Sequence, residues 1–390
     1  MDASPFLALP GAVDGALIGA VDRGVAAHYG NPLVEQRRLS SGDSIVDLSN
    51  RSVLSIAGQD RLSWLNSMSS QLLVSLRPGE SSETLLLDPN GHVEHAAHLI
   101  DDGETLWLIV ERDDADATLD FLQKMRFTLR VDPLDRTDEF AVIGAFAGRG
   151  APERSEDADR DPATVVNAVS PGGIPLTWHD PWPQVVPGGH QYATGEHPGV
   201  DYAWTETIVP RTELAALAER VASGDLAVAG TLAAEALRIA AWRPRMGADV
   251  DDRTIPHELD WLRTAVHLSK GCYRGQETVA KVHNLGHPPR RLVMLHLDGS
   301  EAVLPAPGAD VAVDKAGERV TVGRITSSAM HHELGPIALA VIKRSTDPGA
   351  TLHVDAEGTD VTAAQQIIVP PEAGAEANVP RLPRLGAVSR

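Results

Sequence analysis

The sequence predicts an α+β protein whose chain closes in a small β-barrel, and three observations point there. Between Ser52 and Phe146, apolar runs and helical periodicities follow one another in a βαββ(β)αβ order. That order suggests antiparallel sheet backed by helices on one side. After Arg290 the texture changes to short strands split by Gly and Asp turns, as in a barrel. At 390 residues the chain is also too long for one ordinary hydrophobic core, so two or three packed units are expected.

In chain order, the first forty residues read as an extended lead-in with one helix around Gly15–Tyr29. "SVLSIAG" (Ser52–Gly58) reads as a strand, and "QDRLSWLNSMSSQLL" places Leu62, Leu65 and Met68 at helical spacing. "ETLLLDPNGHVEHAAHLIDDGETLWLIVE" is a meander whose turns are Pro-Asn-Gly and Asp-Asp-Gly. "RDDADATLDFLQKMRF" predicts a helix with aspartates in its first turn, where the helix dipole favours negative charge. "FTLRVDP" and "EFAVIGAF" predict two strands, and the charged, proline-bearing stretch Gly148–Ala163 a linker. After irregular chain over Pro181–Gly199, helices are expected at Thr212–Val221 and Thr231–Ala241. "RRLVMLHLDG", "ADVAVDK", "ERVTVGRITSSAM" and "PIALAVIK" supply barrel strands, and the proline- and alanine-rich end from Pro370 to Arg390 predicts a mobile tail.

A formal charge of −20 argues against direct DNA binding, which draws its affinity from cations that neutralise phosphates. The charge is uneven. From Arg238 to Arg291 there are ten Lys/Arg against six Asp/Glu, a basic segment suited to a small anionic ligand or to pairing with nearby carboxylates. No stretch reaches the roughly 18 apolar residues of a membrane helix, and Asp2 stands where a signal peptide needs positive charge. No membrane partner and a cytoplasmic location are therefore expected. One cysteine excludes an internal disulfide and a self-contained cysteine-ligated cluster, which takes about four thiolates.

That cysteine, Cys272, sits in "SKGCYRGQETVAKV". Gly271 and Gly275 permit positive φ and close approach of the backbone to a ligand. Lys270 and Arg274 are placed to favour the thiolate, the reactive form of the side chain. Tyr273 offers a flat face, and Gln276 and Glu277 offer donors and acceptors. Two readings stand: a ligand-facing loop whose thiol is nucleophile, metal ligand or redox handle, or a packing cysteine in a turn.

"KGCYRGQE" resembles the K-G-C-[YF]-x-G-Q-E signature of the YgfZ family of folate-binding proteins, relatives of the glycine-cleavage aminomethyltransferase (T-protein). The resemblance extends upstream to "AAEALRIAAWRPRMGADVDDRTIPHELDW", downstream to "PPRRLVMLHL" and "GRITSSAMHHELGPIALAVI", and forward to "GQDRLSWLNSMSSQLL", so it spans roughly residues 45–345. It implies a three-domain cloverleaf, two ferredoxin-like α+β units and a C-terminal β-barrel around a central folate-sized opening. The chain then divides into a lead-in (1–44), a folate-binding region of two interleaved units (45–288, with the linker near 148–163), a barrel (289–369) and a tail (370–390). The implied function is a tetrahydrofolate-binding accessory protein for iron–sulfur cluster assembly or repair, affecting tRNA modification indirectly. Its partners would be folate and iron–sulfur client or assembly proteins, with Cys272, Lys270 and Arg274 as the reactive group. The alternative is a folate-dependent one-carbon transferase acting on an unidentified amine.

For the ligand, "ETIVP" is similar to the E-I-S-V-P element that holds the pterin, which makes Glu206 either the pterin carboxylate or an ordinary surface acid. Arg238 would serve the ring or a buried carboxylate. Arg290 and Arg291 would reach a glutamate tail or cap the barrel edge. Gly271, Tyr273, Gly275, Gln276 and Glu277 complete the implied folate contacts. Two departures from the aminomethyltransferase pattern stand out. Its folate arginine corresponds to Ala234, and its catalytic aspartate element falls on His95 and Ala96, so glycine-cleavage activity is not expected. Strand alternation turns His95 away from His92 and His98, which argues against a metal site there.

Overall fold

The computed structural model describes residues 3–18, 22–147, 166–300 and 303–377; the expected linker at 148–163 lies outside them. The strands in chain order are β1 (Val13–Asp14), β2 (Ala26–His28), β3 (Ile45–Asp47), β4 (Ser52–Ala57), β5 (Ser81–Leu87) and β6 (Val93–Asp101). Next come β7 (Thr105–Val110), β8 (Asp132–Asp135), β9 (Phe140–Phe146), β10 (Thr177–His179), β11 (Trp204–Pro210) and β12 (Val228–Ala229). The last six are β13 (Arg290–Leu297), β14 (Asp310–Lys315), β15 (Glu318–His331), β16 (Gly335–Lys343), β17 (Leu352–Ala356) and β18 (Thr359–Ile367). The helices are α1 (Pro32–Ser40), α2 (Arg61–Met68), α3 (Arg112–Lys124), α4 (Glu213–Ser223), α5 (Thr231–Ala240), α6 (Met246–Asp249) and α7 (Gln276–Leu285).

Two five-stranded sheets, β5-β6-β7-β4-β8 and β10-β11-β9-β3-β12, precede a closed barrel of order β13-β16-β15-β14-β17-β18. Because β3 lies before the first unit and pairs with β9 after it, the two α+β units interleave along the chain. Alternation along the strands sorts their side chains between two cores. On β7, Leu106, Leu108 and Val110 pack with residues of α2 and α3, whereas Trp107 and Ile109 face a core shared with the second sheet and the barrel. On β9, Val142 joins that shared core, while Ala141 and Ile143 pack with α4. The shared core therefore binds the three units into one body and puts their polar residues into the seam between them.

Two expectations need correction at the chain ends. Of the helix expected around Gly15–Tyr29, only a 3-10 turn at Gly15–Ile18 is present among the described residues (19–21 lie outside them): β1 pairs with β2, and the Asp14 carboxylate accepts the Ala16 and Gly24 backbone N–H groups. The helix begins instead at Pro32, with the Asn31 side chain accepting the Val34 N–H. At the other end, residues 378–390 of the expected tail lie outside the described residues, and 370–377 pack against the body. Glu376 and Ala377 donate backbone hydrogen bonds to the carbonyls of His283 and Asn284 on α7, and Ala373 is buried.

Candidate functional site

Between the two α+β units lies a narrow cleft of about 70 Å³, lined by residues of β6, β7, β11, α5 and the loop around Arg243–Arg245. β6 exposes Ala96 and His98 to it, and β11 exposes Trp204 and Glu206, in each case residues two apart on one strand face. Glu206 is 2% exposed, so it is not a surface acid. Its Oε2 lies 2.8 Å from His98 Nδ1, and its Oε1 accepts the Trp204 indole N–H at 3.2 Å. Burial works to raise this carboxyl, yet the His98 charge, the His98 and Trp204 hydrogen bonds and Arg51 hold it down at about 2. His98 in turn stacks flat on Trp178, centroids 3.7 Å apart and planes within 1°. The pair is thus ordered on both sides.

The opposite wall is ionic. Arg238 pairs with Glu235 and Asp249, donates to the Arg243 carbonyl, and reaches Ser327 of the barrel at 2.7 Å. Arg243 bridges Glu83 and Asp180. Arg245 holds Asp22 of the lead-in, Glu111 at the end of β7, and Glu235. Burial disfavours each of these guanidinium charges, but the surrounding carboxylates win and raise all three above the usual arginine range. Among the described residues, Arg243 Nη1 is buried without a hydrogen-bond partner.

The Cys272 loop lies elsewhere, and the residues expected around the thiol have other tasks. Cys272 is exposed and does not line the cleft. Lys270 turns inward, its Nζ donating to the carbonyls of Asn66, Ser69 and Gln71 at the end of α2, with burial lowering its pKa to about 8. Arg274 pairs with Glu94 at 2.6 Å. Both neighbouring cations are thus engaged by other groups. Gly275 has φ +81° and caps α7, but what it approaches is the β5–β6 turn: a Cβ there would sit 2.6 Å from the Asp88 carbonyl oxygen. Around Gly271 a Cβ would meet nothing within 4 Å. Tyr273 and Gln276 line a separate cleft with Ser269 and His283, and Glu277 is exposed on α7.

Of the residues expected to hold folate, the structure brings Glu206 and Arg238 to the cleft, together with Ala234. Arg291 is fully buried in the barrel, donating to Thr346 O and Gln365 Oε1, and Arg290 is taken up by Asp251 and Glu258. The three histidines of the meander have three separate partners: Asp88 for His92, Asp114 for His95 and Glu206 for His98. Sequence reasoning missed Arg243, Arg245 and the role of His98. The run "RPRMG" after α5 and the Trp204–Glu206 alternation were the available signals.

The residues 290–370 match the family described as the glycine cleavage T-protein C-terminal barrel domain. A putative chloroplastic transferase of Arabidopsis thaliana is 25% identical over 314 residues, covering 78% of this chain, which spans 66% of that relative's length. An aminomethyltransferase of Streptomyces avermitilis is 26% identical over 343 residues, covering 85% of this chain and 87% of the relative. Among solved structures, the glycine cleavage system aminomethyltransferase T of Bartonella henselae superposes with a TM-score of 0.67 at 18% identity, covering 93% of this chain and 94% of that one. The fold is that of the aminomethyltransferases, and the barrel matches the T-protein C-terminal barrel domain.

Proposed function

We propose that the chain binds a reduced folate in the cleft beside Glu206 and serves as an accessory protein for iron–sulfur enzymes in the cytoplasm. The observation that carries the folate reading is the buried, ionised Glu206 in a cleft walled by Tyr202, Trp204 and Trp261. A reduced pterin asks for this combination: flat apolar faces for its rings and a few fixed polar groups for its edge. At about 70 Å³ the cleft is smaller than a pterin needs, so flexible lining side chains such as Met246 must rotate as the ring enters. Tetrahydrofolate, when bound, supplies the nitrogens that carry one-carbon units.

What speaks against an ordinary aminomethyltransferase is β6, where the cleft-facing position is Ala96 and His95 is turned to Asp114 on α3. No carboxylate stands there to steady a developing cation. The accessory role draws on the KGCYRGQE resemblance and on the exposure of Cys272, which leaves the thiol open to a client protein's cluster or persulfide. Calorimetric titration with tetrahydrofolate tests the first part: wild type binds, and Glu206→Ala loses at least tenfold in affinity. Absence of heat from folded wild type ends the folate reading. Cys272→Ser, assayed through iron–sulfur enzymes under oxidative stress, tests the second; unchanged activities remove the thiol from the mechanism.

A second reading, a one-carbon transferase acting on some other amine, is favoured by the names of the relatives, an aminomethyltransferase and a putative transferase. Formation of methylenetetrahydrofolate from a defined amine decides for it.

A further inference from the structure

The geometry points to His98, backed by Glu206, as the residue that meets the ligand's N–H edge, with the neutral imidazole as the binding form. The inference deepens the folate reading and rests on it. Glu206 has little left to offer a ligand directly: Oε2 is taken by His98 Nδ1 and Oε1 by the Trp204 indole. His98, by contrast, lines the cleft, its side chain is 21% exposed, and its Nε2 makes no hydrogen bond among the described residues. A carboxylate on Nδ1 selects the tautomer that carries its proton there, so the lone pair on Nε2 faces outward. The flat stack on Trp178, whose own indole N–H is tied to Ser82 O, keeps the ring from turning away. The acceptor presented to the cleft is thus an imidazole nitrogen standing in front of the carboxylate.

The surroundings make this position a swing charge. The cleft lining holds four arginines (Arg51, Arg238, Arg243, Arg245) and five acids (Asp22, Glu111, Asp180, Glu206, Glu235), bound largely to one another. His98 is the one histidine in that lining. Three carboxylates act on it from three elements: Glu206 on β11, Glu83 directly opposite on β5, and Asp180 just after β10. Arg243 bridges the latter two, and Arg51 acts on Glu206 from the start of β4. Protonation of Nε2 converts the acceptor into a donor and sets it against the ligand's own N–H groups. Ligand uptake at low pH must then release that proton to solvent. Affinity falls about tenfold per pH unit once the imidazole is mostly protonated, since only the neutral fraction binds.

The test combines two measurements on the full chain. Calorimetry with tetrahydrofolate from pH 5.5 to 8.5, in buffers of different ionisation enthalpy, reads affinity and proton release. NMR of the imidazole resonances, assigned through His98→Gln, reads the His98 midpoint and its shift on adding the ligand. Wild type should weaken below the midpoint with release of up to one proton. His98→Gln, whose amide oxygen still accepts, should bind several-fold more weakly at pH 8 and lose the pH slope. His98→Leu should lose binding while circular dichroism shows it folded. Glu206→Gln should move the His98 ring-nitrogen resonances, because the amide no longer fixes the proton on Nδ1. The inference is overturned if His98→Gln keeps the wild-type slope, or if the ligand leaves the His98 resonances in place while heat is released. If wild type gives no heat at any pH, the folate reading fails. The pairing is then judged by NMR alone: unmoved His98 ring-nitrogen resonances in Glu206→Gln sink it, and moved ones uphold it.

Discussion

Asp260 shows how far a single buried side chain departs from its solution behaviour. It is fully buried at φ +54°, its Oδ1 accepts the Tyr192 N–H at 2.7 Å, and its Oδ2 has no partner. Burial pushes its carboxyl up to about 7, only partly offset by the Tyr192 and Ala193 backbone hydrogen bonds and by Arg263. An acid that stays protonated in the fold but ionises near ~3.9 when unfolded binds more protons in the native state across that window. Its contribution to stability is therefore full below about 4 and is lost as pH rises toward about 7. Asp260→Asn keeps the acceptor, tolerates the left-handed backbone and cannot ionise. We expect its urea midpoint to exceed that of wild type at pH 8 and to match it at pH 4; equal midpoints at both would refute this account. At the same scale, Glu206 and Arg238 were legible as candidates because short motifs name residue types. Their partners were not, since His98 meets Glu206 only through packing of a distant strand, and Asp249 meets Arg238 only after a tight turn into the next helix.

At the scale of elements, the start of α7 docks on the β5–β6 turn through two glycines. Gly91 (φ +85°) and Gly275 (φ +81°) face one another so closely that a Cβ on either meets the other's segment at 3.0 Å or less. Gly275→Ala should cost about 2–4 kcal/mol, the sum of a left-handed penalty and forced overpacking. Gly271→Ala, with open space and an ordinary φ, should change stability by less than about 0.5 kcal/mol. Chemical denaturation of both variants checks the contrast, and equal losses would show that the second motif glycine is not a packing glycine. Strands β4 to β7 and helices α2 to α5 were readable because periodicity and turn chemistry are local. The lead-in was misread for the same reason: the Asp14 turn and β1–β2 pairing override a weak helical pattern, although Asn31-Pro32 signalled the true helix start.

Across the whole molecule, the ionic wall of the cleft ties its units together. Arg245 alone joins the lead-in, the first unit and α5 through Asp22, Glu111 and Glu235. Removing one partner from such a buried cluster strands the rest, so Arg245→Met should destabilise by about 3–5 kcal/mol, read from the denaturation midpoint. A loss below 1 kcal/mol would mean that water or neighbouring cations replace it. The α+β class and the barrel were legible in the alternation of elements; the cleft between units was not, because its wall is assembled from segments more than two hundred residues apart. The sole cysteine stands outside that wall. A maleimide dye on Cys272 would label every molecule at one known surface point and leave the cleft untouched, so docking of a client and filling of the interior can be followed in the same sample as independent signals.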